Sequence, residues 1–326
     1  MHPAFSVIFL TTLIGVGQGL FLALYVGEVY SLVNSIVIQD HKLFYGLGSL
    51  IALIFLAAGL IASIFHLGRP SRGWRAASQW RTSWLSREII LLPLCMATIT
   101  AYGAAHYFDW NNTPFMISET SHLNATLIIG AVGTLLTLLL FVTTAMIYAC
   151  LKFLQEWHSA ITVVDYIFLG SASGFTLAAA FSAHRADGLL DLYLVWAVIF
   201  TFSGFMTRAW SLRRNARLRY KSSVQTAIGI RHSRIEQKAQ GAMGGSFNTR
   251  EFFHGRAPQM VKAVRYFFLT MTFLLPLLVL GVAYINQSQN LLALAFVVQY
   301  IGLMAERWYF FAEARHPQNL YYQYIS

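Results

Sequence analysis

Two proton-handling residues bracket a short, basic stretch, HLGRPSRGWRAASQWRTSWLSRE, which runs from His66 to Glu88. An imidazole titrates near neutral pH and a carboxylate can pass its proton on, so the pair suits a redox carrier that moves protons with its electrons. Between them stand five arginines (Arg69, Arg72, Arg75, Arg81, Arg87) and three tryptophans (Trp74, Trp80, Trp84). A plainer reading accounts for the same residues. Arginines in a short loop fix membrane orientation, tryptophans gather at any bilayer interface, and His66 could bond the last carbonyls of its own helix.

The elements that must position these groups are helices. The apolar run before the stretch closes on Leu67-Gly68-Arg69-Pro70, a glycine–proline stop that assigns His66 to the last turn of the helix before it. Ser86 reads as the N-cap of the next helix, which would put Glu88 in its first turn. A histidine at a helix C-terminus and a carboxylate at a helix N-terminus each complement the macrodipole there. Both would then share one membrane face.

The chain of 326 residues is 57% hydrophobic and 11% charged, with mean hydropathy +0.56. A soluble domain carries about 25% charged residues, so this is an integral membrane protein. Cys95 and Cys150 lie in apolar runs without CxxC or Cys-His spacing, which gives no support to disulfides, iron–sulfur ligation or zinc. The N-terminus MHPAFSVIF has no basic leader region and reads as a retained first helix.

Charges cut the chain into spans. Residues 1–27, 43–68 and 89–108 lack Asp, Glu, Lys and Arg; further spans fall between Glu119 and Lys152, around 160–184 and around 190–208. Residues 266–305 form an uncharged run twice the length of one crossing, divided by Asn286-Gln287-Ser288-Gln289-Asn290. The expectation is an all-α polytopic protein, one integral membrane domain over 1–326. Its eight transmembrane helices would form two four-helix bundles. A basic connection over 211–262, between helices six and seven, is the one large piece outside the bilayer.

Eight crossings put 21 of the 23 Lys and Arg on one side, with only Lys42 and Arg185 on the other. By the positive-inside rule that side, with both termini, is cytoplasmic. The formal charge of +10 is thereby explained without nucleic acid. The 211–262 connection either rests on anionic lipid or docks a soluble partner.

Ionisable groups within the spans are functional candidates because their burial is expensive. Glu28 is the deepest. Asp165 reads as interfacial, and Glu306 with Arg307 as a local ion pair or interface position. Gln18, in GVGQG, could bond a neighbouring helix or a ligand carbonyl. Haem is not expected, since His106, His122 and His184 fall toward the face opposite His66.

The segment IASIFHLGRPSRGWRAASQWRTSWLSREI resembles the signature of the dimethyl sulfoxide reductase anchor-subunit family, the membrane anchors of molybdopterin oxidoreductases. In those proteins a His-Leu-Gly motif closes helix two and a Ser-Arg/Asn-Glu-Ile motif opens helix three; Gln18 resembles a family glutamine in a similar Gly-Gln context. The ends, MHPAFSVIFLTT and AERWYFFAEARHPQNLYYQ, resemble the branch that anchors cytoplasmic sulfite-oxidising enzymes. The resemblance implies a bacterial inner-membrane subunit that exchanges electrons with ubiquinone or menaquinone. An iron–sulfur subunit and a molybdopterin catalytic subunit would carry all the metal. His66 and Glu88 would be the catalytic pair, and Gln18, His66, Arg69 and Glu88 the quinone-binding set. The alternatives are a quinol-oxidising anchor of a dimethyl sulfoxide or polysulfide-type reductase, a purely structural anchor, and a secondary transporter.

Overall fold

The computed structural model describes residues 4–36, 38, 40–65, 67–110, 115–118, 121–238, 249–250 and 252–321. Among them eight helices are long and apolar enough to cross a membrane. They are α1 (Phe5–Val33), α2 (His41–Ile64), α3 (Trp84–Tyr107), α4 (Ala125–Ala149), α5 (Ala160–Arg185), α6 (Leu190–Asn215), α7 and α8 (Gln289–Glu313). α7 comprises Pro258–Leu269 and Leu275–Asn286, joined through a π-helical turn at Thr270–Leu274. A small antiparallel hairpin, β1 (Phe115–Ser118) with β2 (Ser121–Leu123), links α3 to α4. It is too short to alter the all-α class.

The helix ends follow local chemistry, with three departures from the sequence reading. α2 stops at Ile64, capped by Phe65, so it closes before the Leu67-Gly68 signal. α3 begins earlier than Ser86: Ser83 is its N-cap and accepts from the Ser86 backbone N–H. Glu88 therefore sits in the second turn of α3. The Ser86 hydroxyl instead donates to the carbonyl of Ala76, tying the helix start to the 3-10 segment Pro70–Gln79. The break between α7 and α8 is also tighter than Asn286–Asn290. Only Gln287 and Ser288 lie outside helix, and Gln287 takes the left-handed conformation at φ 46°.

Helices α1–α4 pack as one ring of neighbours, and α5–α8 as another. The rings meet where α1 lies against α5 and α8, and α4 against α5. α1 is the axis of the assembly: 72% of its most apolar stretch is buried, against 28% for α2. Its closest approach is to α5. A Cβ on Gly174 would collide with the backbone of Gly19 and Leu20, and one on Gly19 with the Gly170 carbonyl. Only glycine lets these two backbones touch.

On the arginine-rich face, the connections pack on one another. The Trp157 indole N–H donates to the carbonyl of Phe310 at 2.8 Å. Arg214 donates to the carbonyls of Gln155 and His158, each at 3.0 Å. The Tyr321 hydroxyl reaches the carbonyl of Ala227 at 2.7 Å, in the short helix Val224–Ile228 of the α6–α7 connection. The segment after α4, the α6–α7 connection and the C-terminal stretch thus form one layer over the bundle ends.

Candidate functional site

α3 aligns its polar groups along a single stripe. Glu88, Leu92, Cys95, Ile99, Tyr102 and His106 are all buried, and their spacing of three or four residues keeps them on one face. That face looks onto α1 and α4. At the arginine-rich end, the Thr144 hydroxyl of α4 donates to Oε1 of Glu88 at 2.6 Å. One turn and more further in, Gln18 of α1 donates from Nε2 to the carbonyl of Thr137 at 3.2 Å, and the Thr137 hydroxyl meets the Cys95 sulfur at 3.3 Å. Thr137 and Thr144 are two turns apart on one side of α4.

Gln18 and Thr144 also line a cavity of about 20 Å³ at the junction of α1, α4, α5 and α8, with Tyr166 and Arg307 on its far wall. That volume holds one water molecule. Gln18 therefore faces a water-sized space and spends one of its N–H groups on α4. Gln18 and Thr144 thus line one space, and Thr144 is the residue that links it to Glu88.

Arg69 is placed differently. It precedes the 3-10 segment with its side chain exposed and, among the described residues, makes no hydrogen bond or ion pair with Glu88 or Gln18. His66 lies outside the described residues. The rest of the basic stretch is organised by Arg87, which donates to the carbonyls of Trp80 (2.9 Å) and Arg81 (2.8 Å) and covers the Trp84 ring at 4.1 Å. Trp74 and Trp80 remain 72% and 54% exposed, flanked by Arg75 and Arg81. This exposed aromatic and basic surface borders the entrance to α3.

At the opposite end of the stripe, Glu28 is fully partnered. The Tyr102 hydroxyl donates to its Oε2 at 2.7 Å, and His106 Nε2 lies 3.4 Å from its Oε1. The His106 ring stacks on Tyr45 at 4.5 Å between centroids. His106 thus pairs with a carboxylate at its own depth on α1.

A second polar centre departs from the sequence reading. Glu306 and Arg307 form the local ion pair read from the sequence, but they are not interfacial: Glu306 is 0% exposed and Arg307 4%. Their partner comes from α6. Arg208 Nε lies 2.8 Å from Glu306 Oε1, Arg307 Nε 2.8 Å from Glu306 Oε2, and Arg208 Nη2 3.6 Å from Glu313. Asp165 is also buried rather than interfacial, within electrostatic reach of Arg208, Glu306 and Arg307 and of the Thr207 hydroxyl. Local spacing reveals only the Glu306–Arg307 pair; Arg208 and Asp165 join it from other helices and have no signature in spacing.

Comparison with known proteins agrees with this architecture. Residues 1–322 match the family model described as DMSO reductase anchor subunit (DmsC). The chain is 56% identical, over all 326 residues and the full length of both proteins, to a sulfite dehydrogenase subunit of Allochromatium vinosum. A match that spans nearly the whole chain covers all eight helices, the Glu88 stripe and the buried arginines alike: the chain belongs to the DMSO reductase anchor subunit (DmsC) family, and is a multi-pass membrane anchor.

Proposed function

We propose that this chain is the quinone-reducing anchor of a sulfite-oxidising complex. Its iron–sulfur and molybdopterin partner subunits would dock on the arginine-rich face, in the cytoplasm. Oxidation of sulfite to sulfate releases two electrons and two protons; reduction of a quinone to its quinol consumes the same numbers. The partners supply the electrons. The anchor must bind the quinone head group near its docking face and deliver protons to it.

The observation that carries this reading is Glu88: a buried carboxylate, held by Thr144, near the end of α3 that opens onto the basic surface. A carboxylate there has no apolar packing role and is costly to bury, so a proton-handling role is the economical account. His66 would hydrogen-bond a quinone oxygen and give it a proton. Glu88 would supply the next, and Arg69 would steady the negative charge that develops on the ring. Gln18 acts as a positioning residue: it fixes α4 through Thr137 and so sets Thr144 against Glu88. Sidedness rests on the 21-to-2 division of Lys and Arg. Each juxtamembrane cation near anionic lipid contributes about 1 kcal/mol, which leaves little room for inversion. The full-length relative from Allochromatium vinosum, named as part of a sulfite dehydrogenase, supports the choice of substrate.

The test is to purify the complex through a tag on this chain and assay its two half-reactions. Sulfite oxidation with a soluble dye should persist in His66→Ala and Glu88→Gln while quinone reduction is lost. Unchanged quinone reduction in both variants would remove the assignment. A chain that purifies alone, without iron–sulfur absorbance, would remove the anchor role in a redox complex.

A further inference from the structure

We propose that Asp165, Glu306 and Glu313, held by Arg208 and Arg307, form a buried site in the second bundle that stores one proton and feeds it to Glu88 through Thr144. The proposal rests on the reading of Glu88 as a proton donor to quinone.

The first support is a count of charge. Three carboxylates from α5 and α8 surround two guanidiniums, from α6 and α8, that pair with them. Guanidinium groups keep their protons inside proteins, so the two positive charges are fixed. Fully ionised, the cluster would hold one uncompensated negative charge where Glu306, Arg307 and Arg208 are almost wholly buried. Such a charge is strongly disfavoured, and one retained proton removes it. The two charges outside the cluster that act most on Glu313, Arg265 and Glu156, cancel. From α7, Arg265 donates to the Tyr309 hydroxyl; from the segment after α4, Glu156 accepts from Tyr220, adding one charge of each sign. Arg256, Lys262, Arg315, His254 and His316 line the same open cavity as Glu313, with Arg315 over the Tyr220 ring at 4.5 Å.

The second support is the pair of cavities on either side of the cluster. Glu313 lines the outer one, about 610 Å³ and open on the arginine-rich face, together with Glu156 and Asn215. Arg307 and Tyr166 line the inner one, the water-sized space shared with Thr144 and Gln18. The Arg307 guanidinium covers the Tyr166 ring at 4.0 Å, so two polar groups meet on the wall of a space large enough for one water. Thr144 closes the chain by its bond to Glu88. A proton would leave a carboxylic acid of the cluster, pass by way of water in the inner cavity to the Thr144 hydroxyl, and reach the Glu88 carboxylate. The hydroxyl gives up one proton as it takes another. The carboxylate left behind is reprotonated from the outer cavity, so charge returns to its starting balance. Uptake would thus run through the second bundle and not through the arginine-rich loop.

The experiment compares the intact complex with Asp165→Asn, Glu306→Gln and Glu313→Gln, each nearly isosteric. Infrared difference spectra across a pH titration should show one protonated-carboxyl band in the wild type that is missing from all three variants, because neutralising any one acid leaves two carboxylates for two arginines. Glu88→Gln serves as the control that separates the Glu88 signal. Quinone reduction should fall about tenfold in the three variants, with dye-linked sulfite oxidation unchanged. A band retained in all three, or absent from the wild type, overturns the store. Lost bands with unchanged quinone turnover overturn the route to Glu88. A wild-type complex that reduces no quinone refutes the proposed function instead, and the infrared result still decides the store. If Glu306→Gln fails to assemble, Glu313→Gln at the outer cavity gives the same reading.

Discussion

The Thr144 hydroxyl donates to Glu88 at 2.6 Å, so a residue of α4 holds the carboxylate that α3 carries near the arginine-rich face. Replacing it with valine leaves the volume but removes the donor, while serine restores it. Thr144→Val should slow quinone reduction about tenfold, equivalent to ~1.4 kcal/mol in the barrier. Thr144→Ser should stay close to wild type. Steady-state turnover with a short-chain quinone, beside dye-linked sulfite oxidation, makes the comparison.

Arg208 is 1% exposed and pairs with two glutamates of α8. Arg208→Met should destabilise the protein by about 3–5 kcal/mol, because a buried carboxylate loses its counter-charge. Adding Glu306→Gln should recover much of that loss. Thermal unfolding in detergent, followed by tryptophan fluorescence, would show the double variant melting above the single one.

His316 packs between Phe252 and Phe153, and this burial lowers its imidazole below the ordinary 6.5. Above that value the ring is neutral whether docked or free, so its contribution is complete. As pH falls through 6.5 the free ring takes a proton that the docked ring resists, and the C-terminal stretch loosens. Protease sensitivity of that stretch should rise between about pH 7 and pH 5.5. In His316→Phe the rise should be blunted.

Gln287 occupies the left-handed region at φ 46° between α7 and α8. A side chain there costs about 1–2 kcal/mol, and glycine adds back less than 1 kcal/mol of unfolded-state entropy. Gln287→Gly should therefore raise the melting temperature by a few degrees. A drop in melting temperature would mean that the Gln287 side chain makes a contact worth more than its backbone strain.

Topology can be read with reporters. A cytoplasm-active enzyme fused after Ser222 should work, and one fused after Asn112 should not. The reverse pattern would invert the orientation and with it the cytoplasmic placement of the partners.

The architecture was legible because it is written in long runs. Long, charge-poor stretches became eight helices, and the basic segments fell on one face, since hydrocarbon thickness and lipid charge act on composition rather than on exact neighbours. The cap of α3 shows the limit: Ser83 and Ser86 are both good N-caps, and the choice between them follows from where Ser86 finds a better acceptor, Ala76, outside the helix. The site was legible only in part. Glu88 and Gln18 could be singled out as polar groups in apolar spans, but Thr144 could not, because a threonine in a membrane helix most often bonds its own preceding turn. The Arg208–Glu306 pair joins residues almost a hundred positions apart, and such a pairing has no signature in spacing. Charge within a span signalled that a partner existed; only the fold, which brings Arg208 of α6 within reach of Glu306 of α8, supplied it.

The glycine contact between α1 and α5 has a consequence for how the protein is made. Gly19 leaves the ribosome about 155 residues ahead of Gly174, the surface that covers it. At roughly 5–20 residues per second, α1 waits on the order of ten to thirty seconds for that surface. During the wait its flank carrying Gln18 is open to whatever surrounds the nascent chain. The helix that becomes the axis of the finished protein is thus its most vulnerable element at birth, and the insertion machinery must shelter it until α5 arrives.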